Sequence, residues 1–249
     1  MAFNTKFPAH LKADGFEPQT KLTPPIKTWS FSGLQKFEEC PYHIFLQKVK
    51  KLPDPSGSAA QRGSEIHDKA EQYVDGRIND LPKELSRFER EFKDLRKLYE
   101  DNKVECEGEW AYDRDWTSGD WQMDGIWLRA KLDVLIHESE TSAVIIDHKT
   151  GQKRGNEVKH GSQVMLYAIL TFLRFPKLEY VSSRLWYLDK GETTEQNYTR
   201  EQAMAFLPKW DERANKLTDC VSFHATPNWN SCKWCSYKKS GECDFAYIK

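Results

Sequence analysis

The chain has 249 residues, of which 37 are Lys or Arg, 38 are Asp or Glu and six are Cys, and its formal net charge is −1. This near-neutral charge gives no support for nucleic-acid binding through bulk electrostatics, so any such function must come from local sites. Six cysteines are too few for a disulfide scaffold, which typically exceeds about 8% cysteine, and no segment approaches the roughly 18 apolar residues of a membrane span. We expect a soluble, cytoplasmic protein, or one of the host-cell cytoplasm if viral, without a membrane partner.

The first part of the chain is predicted to be helical, after an irregular, proline-interrupted arm over residues 1–27. Ser32 and Gln35 have the spacing of a capping box ahead of a first helix. Pro41 breaks that helix and can occupy the first turn of a second one. Two further amphipathic helices are predicted over residues 59–74 and 81–101.

From residue 104 onward, the apolar period changes to that of β-strands. Residues 104–136 are rich in Trp, Tyr and Val, and they fit two or three strands. The pattern then predicts strands over 143–149 and 183–189, helices over 160–175 and 200–218, and an irregular cysteine-rich tail from Pro227. We expect one domain over residues 28–249, made of a helical part 28–103, a sheet core 104–190, and a C-terminal helix with the cysteine-rich segment 191–249.

The most informative segment is a predicted hairpin over residues 127–151. If its turn is centred on Glu140, residues whose numbers sum to 280 face each other, and Asp133 lies opposite Asp147 with the Cβ atoms about 5 Å apart. Strand alternation predicts a polar face and an apolar face for the first strand. The polar face carries Arg129, Lys131 and Asp133, and the apolar face carries Leu128, Ala130, Leu132, Val134 and Ile136.

Two opposed carboxylates destabilise a sheet unless something compensates their charge. The compensation can be a raised pKa on one carboxyl, a nearby Lys or Arg, or a bound cation. Carboxylate oxygens on a rigid platform suit Mg²⁺ or Mn²⁺, and Lys149, two residues after Asp147, offers a charge that can polarise a water molecule. The alternative is a surface hairpin with solvated charges.

Two helical residue pairs flank this hairpin in the sequence. Gly63 and His67 lie one turn apart, and the glycine predicts close packing because Gly costs about 1 kcal/mol in a helix interior. His67 either joins a metal site or satisfies a hydrogen bond in the core. Gln163 and Tyr167 are also one turn apart and can point together toward the sheet, either as site residues or in ordinary packing.

Five short motifs in this order resemble the RecB-like branch of the PD-(D/E)XK nuclease superfamily. They are Phe31-Ser-Gly-Leu with Cys40-Pro-Tyr, Gly63-x-x-x-His67, Ala-Lys-Leu-Asp133, Ile-Ile-Asp147-His-Lys149, and Gln163-x-x-x-Tyr167-Ala. The resemblance implies an α/β fold, with a mixed central sheet flanked by helices in a restriction-endonuclease-like core. It also implies cleavage of DNA phosphodiesters with Mg²⁺ or Mn²⁺. The family often has Gly where this chain has Ala130, which is a mild departure.

The matching positions carry the family's roles onto this chain as expectations. His67, Asp133 and Asp147 would hold the metal, and the His148 backbone carbonyl would contribute a further ligand. Lys149 would assist the attacking water, while Gln163 and Tyr167 would position the substrate or the active-site groups. The family often has another acidic residue on an earlier strand, and the sequence leaves Glu107 and Glu109 equally suited to that position.

The C-terminal cysteines have the spacing of metal ligands. Cys232 and Cys235 form a C-x2-C pair, and Cys243 follows within one short loop, so a fourth ligand must come from elsewhere. Cys40 fits, since the arrangement resembles CRISPR-associated RecB-like exonucleases, in which it implies a [4Fe–4S] cluster joining the two ends of the domain. Zinc is the alternative to the cluster at these four cysteines. The remaining two cysteines, Cys106 and Cys220, are expected to be small core residues.

The function expected from these features is that of a single-strand-preferring DNA exonuclease. The alternatives are an endonuclease or end-processing subunit of a recombination or CRISPR-adaptation complex, and a DNA-binding subunit without catalysis. Homo-oligomers or recombination and repair proteins are the expected protein partners. Aromatic and basic residues among the cysteines have the composition of a surface that stacks on nucleic-acid strands. They are Lys233, Trp234, Tyr237, Lys238 and Lys239.

Overall fold

The computed structural model describes residues 23–55 and 57–247, so the irregular arm expected over residues 1–27 lies largely outside the described residues. The fold is α/β, with a mixed six-stranded sheet flanked by helices. The strands are β1 (Val104–Tyr112), β2 (Ser118–Gly119), β3 (Leu128–His137), β4 (Ser142–Lys149), β5 (Tyr180–Tyr187) and β6 (Glu192–Thr199). The helices are α1 (Phe31–Glu39), α2 (Pro41–Ile44), α3 (Ser58–Val74), α4 (Glu89–Glu100), α5 (Glu157–Arg174), α6 (Arg200–Met204), α7 (Leu207–Thr218), α8 (Trp229–Trp234) and α9 (Ser236–Ser240).

The sheet order is β2-β1-β3-β4-β5-β6, and among the strands of the described residues β4 and β5 pair in parallel while the other neighbours are antiparallel. Helix α5 makes the crossover between these two strands, as a parallel connection requires. Strand β4 is central in the sheet, and all its residues except the first and the last are buried. The mixed sheet flanked by helices that was expected from the sequence is therefore confirmed.

Helices cover both faces of the sheet. On one face, α1, α5 and α7 pack against apolar side chains of β1, β3, β4 and β5. On the other face, α3 and α4 pack against other side chains of the same strands, among them Val104 of β1, Val134 of β3 and Ile146 of β4. No helix in the described part of the chain could span a lipid bilayer.

The register of the predicted hairpin is confirmed, but its ladder is shorter than expected. Val134 pairs with Ile146 and Leu135 with Ile145, so facing residues do sum to 280. The ladder stops at Val134, one pair before Asp133 and Asp147. The two strands part at this point, and the aspartates are not a cross-strand pair in the sheet.

The alternation of side chains between the two faces of the sheet also breaks in β1 and β3, next to the point where β3 and β4 part. Leu132 packs on the α5 side of the sheet, whereas Val134 and Ile136 pack on the α3 side. The predicted common face of Leu128, Ala130, Leu132, Val134 and Ile136 is therefore wrong for its last two members. Glu107 and Asp133 are missing from the β1–β3 ladder, although the pairs on either side of them are formed. Alternation fails because this one level of the sheet is not pleated in the ordinary way.

Several local predictions needed correction. The cap of α1 is Ser30, whose side chain accepts a hydrogen bond from the Gly33 N–H, so Ser32 lies inside the helix and forms no capping box. Strand β6 was missed because it is a polar, mostly exposed edge strand without apolar alternation. The tail expected to be irregular contains the short helices α8 and α9.

Asp54 ties the N-terminal helices to the C-terminal segment. Its Oδ2 accepts hydrogen bonds from Lys36 Nζ at 2.6 Å and from Gln47 Nε2 at 2.9 Å, and it lies 3.2 Å from His43 Nε2. Ser236 Oγ, at the start of α9, donates to Asp54 Oδ1 at 2.5 Å. Burial raises the pKa of Asp54, but the hydrogen bonds from Lys36, Ser236 and His43 outweigh burial and lower it to about 2.

We expect Asp54→Asn to lower the free energy of unfolding by about 1–3 kcal/mol at pH 7, because it weakens charge-assisted hydrogen bonds. The ionised carboxylate stabilises the fold above its ordinary pKa of 3.8, and that stabilisation is lost as the pH falls through about 2. Urea denaturation from pH 7 downward should therefore show the difference between wild type and variant narrowing below about pH 4. A difference independent of pH would contradict the assigned role of the charge.

Candidate metal-dependent active site

The parting of the strands brings three possible metal ligands together. His67 comes from α3, Glu107 from β1 and Asp133 from β3, and one ligand atom of each lies within 4.8 Å of the others. His67 Nδ1 is 3.1 Å from Asp133 Oδ1, and Lys131 Nζ is 2.8 Å from Glu107 Oε2. Three elements distant in sequence therefore converge on one point at the edge of the ladder.

Backbone geometry explains why Glu107, and not Glu109, joins this cluster. Glu107 has φ of 50°, in the left-handed region that non-glycine residues rarely adopt. Such conformations cost of order 1–3 kcal/mol and concentrate at functional sites. Glu109 pairs regularly with Lys131 in the ladder and is exposed. The structure thus separates two glutamates that the sequence left equivalent.

Packing also places His67 against the end of β4. Gly63, one turn earlier, lies so close to Thr150 that a Cβ atom would come within 3.2 Å of its Oγ1. The close packing predicted from this glycine is confirmed. A larger residue at Gly63 would push α3 away from the strand end, and with it the imidazole of His67.

The second aspartate lies beside the first without joining the three-residue cluster. Asp147 is 3% exposed, and its Oδ2 is 2.5 Å from Lys149 Nζ. Lys149 Nζ donates to Gln163 Oε1 at 2.8 Å, and Gln163 Nε2 donates to the Tyr167 hydroxyl at 2.9 Å. Gln163 and Tyr167 therefore do point together toward the sheet, and Gln163 holds the ammonium group of Lys149.

A side chain takes over the missing part of the β3–β4 ladder. The backbone N–H of His148 donates to Asp133 Oδ2 at 2.6 Å. Asp133 thus uses one oxygen to hold β4 and the other to contact His67. The metal-binding role expected for the His148 carbonyl stays a prediction. Its imidazole is buried beside Phe92 and Trp186, and burial lowers its pKa to about 4, so this ring is neutral at physiological pH.

The charges of the site are balanced in a way that favours a cation. Burial lowers the pKa of His67, but the hydrogen bond and charge of Asp133 outweigh burial and raise it to about 9. The same contacts overcome burial at Asp133 and hold its pKa well below the ordinary range. At Asp147, burial raises the pKa in spite of the Lys149 charge. At neutral pH His67 is therefore protonated, and its positive charge offsets the carboxylates as a bound metal ion would.

The donor set fits a hard divalent cation. Carboxylate oxygens and an imidazole nitrogen within 4.8 Å of one another match the ligand preferences of Mg²⁺ and Mn²⁺. The buried carboxylate of Asp147 adds a further oxygen close to Lys149. The sequence had placed His67, Asp133 and Asp147 in this role. It left Glu107 undecided, because no sequence signal marks a left-handed residue within a strand.

The four cysteines proposed as cluster ligands come together at the other end of the N-terminal helices. Cys40, Cys232, Cys235 and Cys243 line one cavity of about 150 Å³, and all are free. Burial raises the pKa of Cys243, and the other three thiols of the group raise it further. Cys235 Sγ lies 3.6 Å from Nδ1 of His43, the histidine that also contacts Asp54.

Two expectations around the cysteines were wrong. Tyr237 is 1% exposed and donates to the Leu52 carbonyl, so it supports the fold and is not part of a stacking surface. Trp234 is 73% exposed, with the ammonium groups of Lys233 and Lys239 over its ring. Cys106 packs beside the core under α3 and α4, as expected, but Cys220 is half-buried and donates to the Ser222 carbonyl outside the core.

The chain is similar to known proteins both in sequence and in fold. The sequence profile of the PD-(D/E)XK nuclease superfamily matches residues 28–240. No curated protein matches the chain. Among solved structures, SSO0001 is 15% identical, and the match covers 89% of this chain and 88% of that one with a TM-score of 0.48. A candidate exonuclease from Eubacterium rectale is 12% identical, and the match covers 90% of this chain and 91% of that one with a TM-score of 0.46. The alkaline exonuclease LHK-Exo from Laribacter hongkongensis is 12% identical, and the match covers 78% of this chain and 93% of that one with a TM-score of 0.34.

We expect Glu107→Gln to weaken Mn²⁺ binding by roughly 10- to 100-fold, because it removes a charged ligand from the cluster. Glu109→Gln is the matched control, since Glu109 lies two residues away on the same strand and outside the cluster. Isothermal titration with Mn²⁺ measures both affinities. Equal affinities for the two variants would exclude Glu107 as a ligand.

Proposed function

We propose that this chain, which belongs to the PD-(D/E)XK nuclease superfamily, is a metal-dependent DNA exonuclease that prefers single strands. Membership of the family makes it a nuclease that cleaves phosphodiester bonds. The observation that carries the proposal is the convergence of His67, Glu107 and Asp133 beside the buried Asp147–Lys149 pair. The exonuclease mode and the strand preference rest on the resemblance to RecB-like exonucleases.

His67, Glu107, Asp133 and Asp147 would hold the metal. When bound, Mg²⁺ or Mn²⁺ supplies Lewis-acid activation and lowers the pKa of a bound water. The chain itself supplies Lys149, whose ammonium group is fixed between Asp147 and Gln163. A fixed positive charge of this kind orients an attacking water and stabilises the negative charge that develops on the phosphoryl oxygens.

Gln163 and Tyr167 act on the reaction through Lys149. Gln163 accepts from the Lys149 ammonium and donates to the Tyr167 hydroxyl, so its amide cannot rotate without losing one of the two hydrogen bonds. Burial raises the pKa of Tyr167, which keeps the hydroxyl neutral. We assign these two side chains to positioning and reserve the charge chemistry for Lys149.

The proposal extends to a [4Fe–4S] cluster on Cys40, Cys232, Cys235 and Cys243. Four free thiols facing one cavity fit such a group. Tetrahedral zinc with bonds of about 2.3 Å to sulfur would bring all four sulfurs within roughly 3.8 Å of one another. Among the described residues, no three cysteine sulfurs lie within 4.8 Å of one another. Zinc stays the alternative, and the metal content of the purified protein decides between the two.

Three further expectations stay proposals. Residues 28–249 would form a single nuclease domain, the protein would act in the cytoplasm, and its protein partners would be further copies of itself or recombination and repair factors. A DNA-binding subunit without catalysis is disfavoured, because Asp133, Asp147 and Lys149 are all present.

Lys149→Ala should lower the rate of cleavage by about 10²–10³-fold, the loss typical of removing one preorganised donor of charge stabilisation. The assay uses end-labelled single-stranded DNA with Mn²⁺. Lys177→Ala is the matched control, because Lys177 has a side chain 81% exposed and lies outside the site. Cleavage by Lys149→Ala at the wild-type rate would overturn the assignment.

Cleavage mode is tested with the same enzyme on closed circular single strands. An exonuclease leaves circles intact while it degrades linear strands of the same sequence. Cleavage of circles at a comparable rate would assign the protein to endonucleolytic end processing instead.

Anaerobically purified wild type should be brown and contain iron, and Cys235→Ser should lose the colour and unfold at a lower temperature. Cys220→Ser is the matched control, since Cys220 lies outside the cysteine cavity, and it should keep both properties. The measurements are the ultraviolet–visible spectrum, iron and zinc content, and thermal unfolding. Stoichiometric zinc without iron in the wild type would refute the cluster.

A further inference from the structure

A groove opens beside the candidate active site, and the proposed mechanism does not use most of it. Its volume is about 720 Å³, within the range of about 300–1,000 Å³ that ligand sites occupy. Lys131, Gln163 and Tyr167 line one part of it. Lys131 contacts Glu107, and Gln163 contacts Lys149, so the groove is continuous with the catalytic groups.

The charge of the groove is one-sided. Lys27, Lys48, Arg129 and Lys131 line it, and among the described residues none of its lining residues is Asp or Glu. The whole chain has almost equal numbers of acidic and basic residues, so this segregation is local. A surface lined by cations alone attracts phosphates.

An aromatic side chain lies on top of one of these cations. The Arg129 guanidinium is 4.9 Å from the ring centroid of Trp121, and Arg129 Nη2 donates to the Trp121 carbonyl at 3.2 Å. Trp121 is half-buried, and it lines the groove. A positioned indole next to a guanidinium is the combination on which nucleobases stack while phosphates are held.

The groove wall also carries hydrogen-bond donors that no group of the described residues satisfies. Arg129 Nε and Trp29 Nε1 are both buried without a partner, and Trp29 is only 3% exposed. A buried donor without a partner destabilises the free protein, and an acceptor on a bound strand would remove that cost. The first turn of α1, including Ser30 and Gly33, lines the same groove and adds the positive end of a helix dipole.

We propose that this groove is the binding site for the single-stranded DNA leading to the active site, with a nucleobase stacked on Trp121 and backbone phosphates held by Arg129, Lys48 and Lys27. This inference rests on the proposed nuclease function and adds its substrate-binding residues. A stacking site that accepts any unpaired base explains a preference for single strands, since bases in a duplex are stacked on each other and not available to Trp121.

The test separates binding from catalysis. Binding of a labelled oligothymidylate is measured by fluorescence anisotropy with Ca²⁺ in place of Mg²⁺ and Mn²⁺. Trp121→Ala should weaken binding by roughly tenfold or more, and Trp121→Phe should restore most of the affinity. Phe206→Ala, which removes a 39% exposed aromatic outside the groove, should bind as wild type does.

The cations are tested by the salt dependence of the same equilibrium. Arg129→Gln and Lys48→Gln should each flatten the plot of log affinity against log salt by roughly 0.7, the value for one phosphate contact to a single strand. Arg90→Gln is the matched control, because its side chain is 90% exposed and lies outside the groove. Unchanged affinity and slope in Trp121→Ala and Arg129→Gln would overturn the proposal.

Hydrolysis of bis-(p-nitrophenyl) phosphate with Mn²⁺ distinguishes a failure of the proposed nuclease function from a failure of the proposed DNA-binding groove. This ester is too small to fill the groove, so its hydrolysis by the wild type reports the metal-dependent chemistry without strand binding. If the wild type hydrolyses neither the ester nor DNA, the nuclease function fails, whereas the binding data still decide the groove. Equal loss of affinity for single strands and for blunt duplexes would overturn the single-strand assignment.

Discussion

The arrangement of the site depends on one interruption in the hydrogen bonding of the sheet. Glu107 and Asp133 occupy facing positions in β1 and β3 but leave the ladder, and β3 and β4 part just before Asp147. A carboxylate within a regular antiparallel ladder would point straight out from one face. At this level Asp133 instead reaches His67 on α3 with one oxygen and the backbone N–H of His148 with the other. The broken ladder is thus held together by the groups that are proposed to bind the metal.

The same interruption sets the electrostatics. Several acidic groups are gathered where burial makes ionisation costly, and each has a specific cationic partner: His67 for Asp133, Lys131 for Glu107 and Lys149 for Asp147. The compensation that the sequence required for opposed carboxylates is therefore present within the protein. These partners are held differently: Lys149 is fixed between Asp147 and Gln163, the Lys131 side chain is half exposed, and the packing of Gly63 against Thr150 places His67.

Much of this was predictable from the sequence, and the exceptions have identifiable causes. The pairing of β3 with β4, in which the numbers of facing residues sum to 280, follows from the symmetry of the hairpin. The contact between Gln163 and Tyr167 follows from their helical spacing. The choice of Glu107 depends on a positive φ that no local residue pattern requires. The reversal of faces after Leu132 has the same origin, since alternation assumes an unbroken pleat. The groove escaped prediction because Lys48, Trp121 and Arg129 are far apart in the sequence and meet only through tertiary packing.

Helices α1 and α2 form a wall shared by two chambers. Ser30, Gly33 and Ile44 face the basic groove, while Cys40, Tyr42 and His43 face the cysteine cavity. A displacement of these two helices would therefore change the lining of both the groove and the cysteine cavity. The Asp54 contacts fasten this wall to the C-terminal segment. A change at the four cysteines that moved α1 or α2 would thereby also move the residues that line the basic groove.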